Sequence, residues 1–432
     1  MPRIVIRKYN TLYQHTPLIH FQGEQAGATL RASQVKPQLD RYLIAAGGGE
    51  KAIPEGWWAK PADQKSLNFR LKIVPGKATK LSGGAKLYSN YFGDERKVTF
   101  HPILQLNVDV PDPNLGVHIR SHLSEFFYQT NFGTRASKGF GSFSLGQEIK
   151  KNYVFKFAVA DSGTGERNFQ NLFRHIEFFH RSLRTGLNCF MDPEGLNVYP
   201  NPNPSKNYPS SNNQSLYMKP HIFSYAAQKD LVWEKKAVKE KTLSIWKNKQ
   251  KPERPAQGHP WPAWFPENES AQQELTRATV RDVFGLSTDQ SWMAYKFKVA
   301  KKPVANAEQN SSNQIERAPS PFTFVPVKLA QGFAVYVYAR QPDEVYLNQR
   351  IEVVVEDKNR GNTAIGKLQV FPNFKMDDFL NEYLDPKEVA KAILTKDKNT
   401  EVQEQNEYLR DLLLEMYTQA KASLKLHNIQ QA

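Results

Sequence analysis

Apolar residues recur along this chain at two periods, and the periods sort it into strands and helices. Near the N-terminus Ile4 and Ile6 alternate with Arg3, Val5 and Arg7, and Leu18 and Ile19 close a segment that reads as a strand over 3–20. Alternation at period two puts every second side chain on one face of a sheet. Pro17 has no N–H to give a ladder, so this strand is expected at an edge or bent there. Val35, Leu39, Tyr42 and Leu43 change to steps of three and four. That predicts a helix over 33–46, with Ser33 as N-cap, Pro37 near the first turn and Gly47–Gly49 ending it. β-rich runs follow at 67–74, 97–110 and 140–160, the clearest from Val98 to Val110 and broken by Pro102.

Phe169, Leu172, Phe173, Ile176, Phe179, Leu183 and Leu187 predict a long helix over 166–187. Arg174, His175, Arg181 and Arg184 fall mostly on its other faces, so it is a core helix or one that turns a basic face to RNA. Strong alternation returns at 322–340 and 345–356, with a tight hairpin expected at Gln331-Gly332. The chain closes with an amphipathic helix over 400–427, striped by Tyr408, Leu409, Leu412, Leu413, Met416, Tyr417, Ala420 and Leu424. That stripe packs on its own core or on a neighbouring subunit. Between these regions lie a Pro/Asn/Ser-rich loop at 191–215 and a lysine-rich run at 229–256 containing Trp233 and Trp246. A Pro260–Pro266 loop with Trp261 and Trp264, and a polar stretch at 300–316, complete the middle.

Charge narrows the partners. Over 432 residues, 58 Lys and Arg face 43 Asp and Glu, a formal net charge of +15. Such a balance favours anionic partners, nucleic acid first and an anionic membrane surface second; a basic but inert surface is the bland alternative. Cys189 is the one cysteine, so no intramolecular disulfide can form, in keeping with a reducing cytoplasm. No apolar run approaches the roughly 20 residues of a spanning helix, and no signal-peptide pattern opens the chain; a soluble, cytoplasmic protein is expected. H-E-x-x-H, C-x-x-C, Walker, dinucleotide and nucleophile-elbow patterns are missing from the sequence. No metal, cofactor or small-molecule substrate is therefore expected.

The densest chemistry lies between Asn131 and Phe143. Gly133, Gly139 and Gly141 allow positive φ and close approach of another backbone. Arg135 and Lys138 add charge, and Phe140 and Phe143 add flat faces. Such a loop suits a ribose-phosphate chain, with amides and cations on phosphate and rings on unpaired bases. The alternative is a glycine-rich turn whose phenylalanines are core.

Several segments, taken in order, resemble the RAMP superfamily of CRISPR-associated RNA-binding proteins. They are Thr16-Pro17, Gly23 and Gly27, then Leu30-Arg31, Ser33, Lys36, Leu39 and Arg41, and finally the loop from Arg135 to Ser142. Leu87 to Gly93 and Arg317 to Pro326 look like two further family segments, the second found in the large first RAMP subunit of type III-B (Cmr) effector complexes. The resemblance implies an α+β fold of ferredoxin-like RAMP domains with antiparallel sheets. Its parts are a domain at 1–160, a connecting helix at 161–190, an insert at 191–315 and a second β-rich part with a terminal helix at 316–432. It implies RNA binding rather than cutting, with guide RNA, target RNA and other effector subunits as partners. Arg31, Lys36, Arg41, Arg135, Lys138, Gly139, Phe140, Gly141 and Ser142 would carry the RNA, through the amides of Gly139 and Gly141, through the cations, and by stacking on Phe140.

Further readings stay open. Some RAMP proteins cleave guide RNA without metal, a histidine serving as general acid or base; His15 and His20 lie near the Thr-Pro turn. Others cut target RNA with a loop aspartate, for which Asp40 and Asp94 match no pattern. The third possibility is a protein-docking scaffold acting through the tryptophan loop and the terminal helix.

Overall fold

The computed structural model describes residues 6–19, 28–60, 66–79, 81, 98–146, 152–163, 165–191, 198–200, 216–229, 231, 238, 242, 275–287, 291–294, 297–303, 317–357, 361–394 and 400–431. His20, Asp94, the 87–93 segment, most of the lysine-rich run and the Trp261–Trp264 loop lie outside them, as does the side chain of Cys189.

The N-terminal part is built from β1 (Ile6–Gln14), α1 (Ala32–Ala46), β2 (Arg70–Pro75), β3 (Ile103–Val110), α2 (Pro113–Gln129) and β4 (Phe143–Ser144). The sheet order is β2-β3-β1-β4, all antiparallel. This β-α-β-β-α-β sequence with the first strand inside the sheet is consistent with the ferredoxin-like unit expected. The strand expected over 3–20 stops at Gln14 and resumes as Leu18–Ile19, which pairs with Val98–Thr99. The break falls at Pro17, as its missing donor requires. β3 alternates cleanly, with Leu104, Leu106, Val108 and Val110 buried and Ile103 half-exposed on the other face. The buried side meets Val35, Leu39 and Leu43 of α1 and Leu115, Ile119, Leu123, Phe126 and Phe127 of α2.

Three local features differ from the pattern read along the sequence. Ser33 does not cap α1; Arg31 holds the N-cap position without a side-chain bond. α2 was not foreseen, although Asp112 caps it by accepting from the amides of Asn114 and Leu115, and Pro113 sits at its first position. Residues 344–347 form a helical turn capped by Asp343, so the strand expected from 345 begins at Arg350.

The larger core joins distant parts of the chain. β5 (Phe155–Val159) pairs with the second strand of a hairpin, β6 (Phe322–Lys328) and β7 (Phe333–Ala339), closed at Gly332 as predicted. α3 (Glu166–Arg184) lies on this sheet beside the terminal helix α4 (Thr400–Ala422). Leu409, Leu413, Met416, Tyr417 and Ala420 of α4 are buried in this chain's own core, and Tyr417 shares a 2.7 Å hydrogen bond with Ser182 of α3. A further five-stranded sheet contains one parallel pair, Leu275–Thr279 with Gly361–Val370, among antiparallel neighbours. Its strand Phe297–Pro303 enters the stretch expected to be a loop from 300, because Lys301 is buried there against Asp282. Among the described residues, no helix is long and apolar enough to cross a membrane.

Candidate nucleic-acid interface

The glycine loop connects β1 to β6 from the inside. Thr16 Oγ1 donates to the Gly139 carbonyl at 2.7 Å and accepts from the Ser142 amide at 3.0 Å. The Gly141 amide donates to the Pro17 carbonyl and the Gly139 amide to the Ala136 carbonyl. Ser142 Oγ donates to the Pro326 carbonyl at 2.7 Å, and Asn131 Nδ2 donates to the carbonyls of Ala136 and Phe324. Glycine is required where backbones touch: at Gly141, with φ +64°, a Cβ would stand 2.1 Å from the Phe132 carbonyl oxygen. The expectation that the amides of Gly139 and Gly141 face phosphate is therefore corrected. Both are bonded within the chain, and Ser142 is fully buried.

Phe140 is corrected as well. It is 1% exposed and stacks on Phe173 of α3, with centroids 3.8 Å apart and planes 8° from parallel. It cannot also receive a base. Lys36 is occupied too: its Nζ donates to both carboxylate oxygens of Asp40 at 2.6 Å and to Ser66 Oγ and the Leu67 carbonyl at 3.0 Å, and it lies 3.9 Å from the Phe69 ring centre. This network ties α1 to the 66–69 segment and accounts for Asp40 as a structural acid. Arg41 is exposed and Arg31 half-buried on α1.

His15 is held at both ring nitrogens. The Lys328 amide donates to its Nδ1 at 3.2 Å, which leaves the proton on Nε2, 2.8 Å from Ser144 Oγ. Ser144 Oγ in turn donates to the Gly146 carbonyl at 2.8 Å. A ring 7% exposed with both nitrogens engaged joins β1, β4 and β6.

Arg135 and Lys138 do meet in a site, but with partners from α3. They line a cavity of about 80 Å³ together with Phe140, Phe173, Ile176, Glu177, His180, Arg181, Arg184 and Thr185. Residues 177, 180, 181 and 184 fall on one helix face by the three- and four-residue rule. Four cations thus surround one carboxylate. Glu177 pairs with Arg181 at 3.6 Å, and Arg184 Nη2 donates to the Gly285 carbonyl at 2.6 Å. Lys138 Nζ and His180 Nε2 are sealed from solvent with no hydrogen-bond partner. Arg135 holds a left-handed φ of 60°, unusual for a residue with a Cβ.

The electrostatics follow from that crowding. Burial pushes the Lys138 ammonium well below the usual lysine range; Arg184 adds to the shift and Glu177 opposes it. Burial, then the charges of Lys138 and Arg184, hold His180 well below the ordinary histidine value. Burial raises Glu177, while Arg181, Lys138 and Arg135 pull it back. Desolvated like charges this close are unfavourable until an anion joins them.

Sequence reading had noted Arg181 and Arg184 but did not join them to the loop, and it passed over Glu177 and His180. The signal was the 177/180/181/184 spacing, which acquires meaning only once the loop is known to lie on that helix face. No curated protein and no solved structure matches the chain. Profiles of the Cmr1 N-terminal domain and the Cmr1 C-terminal domain match residues 7–187 and 217–400, and on that coverage the chain belongs to the Cmr1 family of CRISPR-associated RAMP proteins, subunits of type III-B effector complexes.

Proposed function

We propose that this chain is an RNA-binding subunit of its effector complex and that Arg135, Lys138, Arg181 and Arg184 contact RNA phosphate. The carrying observation is the buried Lys138 ammonium, without a hydrogen-bond partner, in a cavity where four cations surround a single carboxylate. Guide RNA, and target RNA paired to it, are the polyanions such a subunit meets. Arg41, exposed on α1, extends the basic surface, while Lys36, Gly139, Phe140, Gly141 and Ser142 serve the fold. The metal-free nuclease reading loses its described base, because His15 is bonded at both nitrogens.

The test is a filter-binding titration of single-stranded RNA with wild type and the Arg135→Gly, Lys138→Met double variant. Glycine suits the positive φ at 135, so the fold should survive. Affinity should fall about tenfold or more at moderate salt, and the salt slope should shrink by about 0.7 per lost phosphate contact. Unchanged affinity and slope in a folded variant would reject the reading.

A further inference from the structure

The same cavity carries a sharper statement, which rests on the RNA reading and names the group bound. We propose that it is an end-recognition pocket that takes a single phosphate monoester, the terminal phosphate of a strand, rather than a phosphodiester from within one.

Size comes first. About 80 Å³ holds some six water-sized groups at roughly 10–15 Å³ each. That accommodates the five heavy atoms of a phosphoryl group. Shape comes second. The parallel Phe140–Phe173 pair and Ile176 form apolar walls, and the buried polar atoms include Lys138 Nζ and the Nε2 of His180, a residue 7% exposed. Arg135, Glu177, Arg181 and Thr185 are partly exposed. A diester would have to fit two ester arms between these walls; a monoester brings one. Charge comes third. Four cations against one carboxylate exceed what a singly charged diester neutralises and suit the dianion of a monoester, whose second ionisation lies near pH 6. Apolar walls strengthen each charge-assisted bond by excluding water.

Inorganic phosphate shares this chemistry, so the experiment has arms for both sources. One short RNA is prepared with a 5′-phosphate, with a 3′-phosphate, and with hydroxyls at both ends. Binding of each to the full chain is measured at about pH 7.5, where a monoester is mostly dianionic. One phosphorylated form should bind about tenfold or more tightly than the hydroxyl form, as one or two charge-assisted bonds imply. Inorganic phosphate should erase the difference, and so should Lys138→Met. Melting of the wild type with and without inorganic phosphate needs no variant and covers a misfolded one: phosphate, but not chloride of equal ionic strength, should raise the transition. A rise without any end preference overturns end recognition and assigns the pocket to free phosphate. Equal binding of all three RNAs with no melting response overturns this inference while leaving RNA binding intact. No binding of any RNA rejects the RNA reading, and the melting experiment then still decides the pocket.

Discussion

Two buried lysines in this chain stand in opposite situations. Lys301, 2% exposed, is paired with Asp282, and Thr279 Oγ1 donates to the same carboxylate. Burial alone would raise the Asp282 carboxyl, but the Lys301 charge and the bonds from Lys301 and Thr279 hold it below its ordinary value. Lys138 has the same burial at its Nζ and no such partner, only further cations and a carboxylate already paired with Arg181. A buried charge with its countercharge is part of the fold; one without is costly unless something outside the chain supplies the countercharge. The difference separates an architectural lysine from one poised for a ligand. Lys36, saturated by Asp40, Ser66 and Leu67, belongs with the first kind.

The comparison can be broken by substitution. The largest effect is expected at the paired site. Asp282→Ala should leave Lys301 buried and uncompensated and destabilise by about 3–5 kcal/mol, read by chemical denaturation. Gly141→Ala comes next: strain at positive φ and a clash with the Phe132 carbonyl should cost about 1–3 kcal/mol or more. Lys36→Met should cost about 1–3 kcal/mol by stranding the buried Asp40. Lys138→Met should have the opposite sign, leaving stability unchanged or raised, since no bond to Nζ is lost. A result as severe as Asp282→Ala would place Lys138 with the architectural lysines.

The smallest effect is in pH. Lys138 has a folded-state value lowered by burial, with Arg135, Glu177, His180, Arg181 and Arg184 facing it. Between that value and the ordinary lysine value the unfolded chain binds more protons than the folded one, so this group's contribution makes stability rise with pH. Wild type should therefore gain on Lys138→Met as pH climbs through this window. An advantage of Lys138→Met over wild type that stays constant or widens on the alkaline side would argue against a desolvated ammonium.

Much of the scaffold was legible because it rests on local rules. The Pro17 break, the Gly332 hairpin, α3 and the terminal stripe each follow from a missing donor, a turn residue or a period. α2 escaped because Val108 and Val110 continue a strand pattern up to Asp112-Pro113, where the cap signal was passed over. The site was half legible. Arg135 and Lys138 stood out as cations, but their partners lie some forty residues on, and only packing of the loop on α3 brings them together. The glycines were conspicuous for a different reason than supposed: they let backbones touch one another, as at Gly141 against Phe132. Phe140 showed the usual ambiguity of an aromatic in a basic loop, which burial against Phe173 resolves.

The most direct test of the central claim pairs two readings on one variant, the RNA affinity and the melting temperature of Lys138→Met beside wild type. The account predicts affinity weaker by about tenfold, the worth of one charge-assisted bond, with a melting temperature equal or higher. Unchanged affinity together with a lowered melting temperature would contradict it.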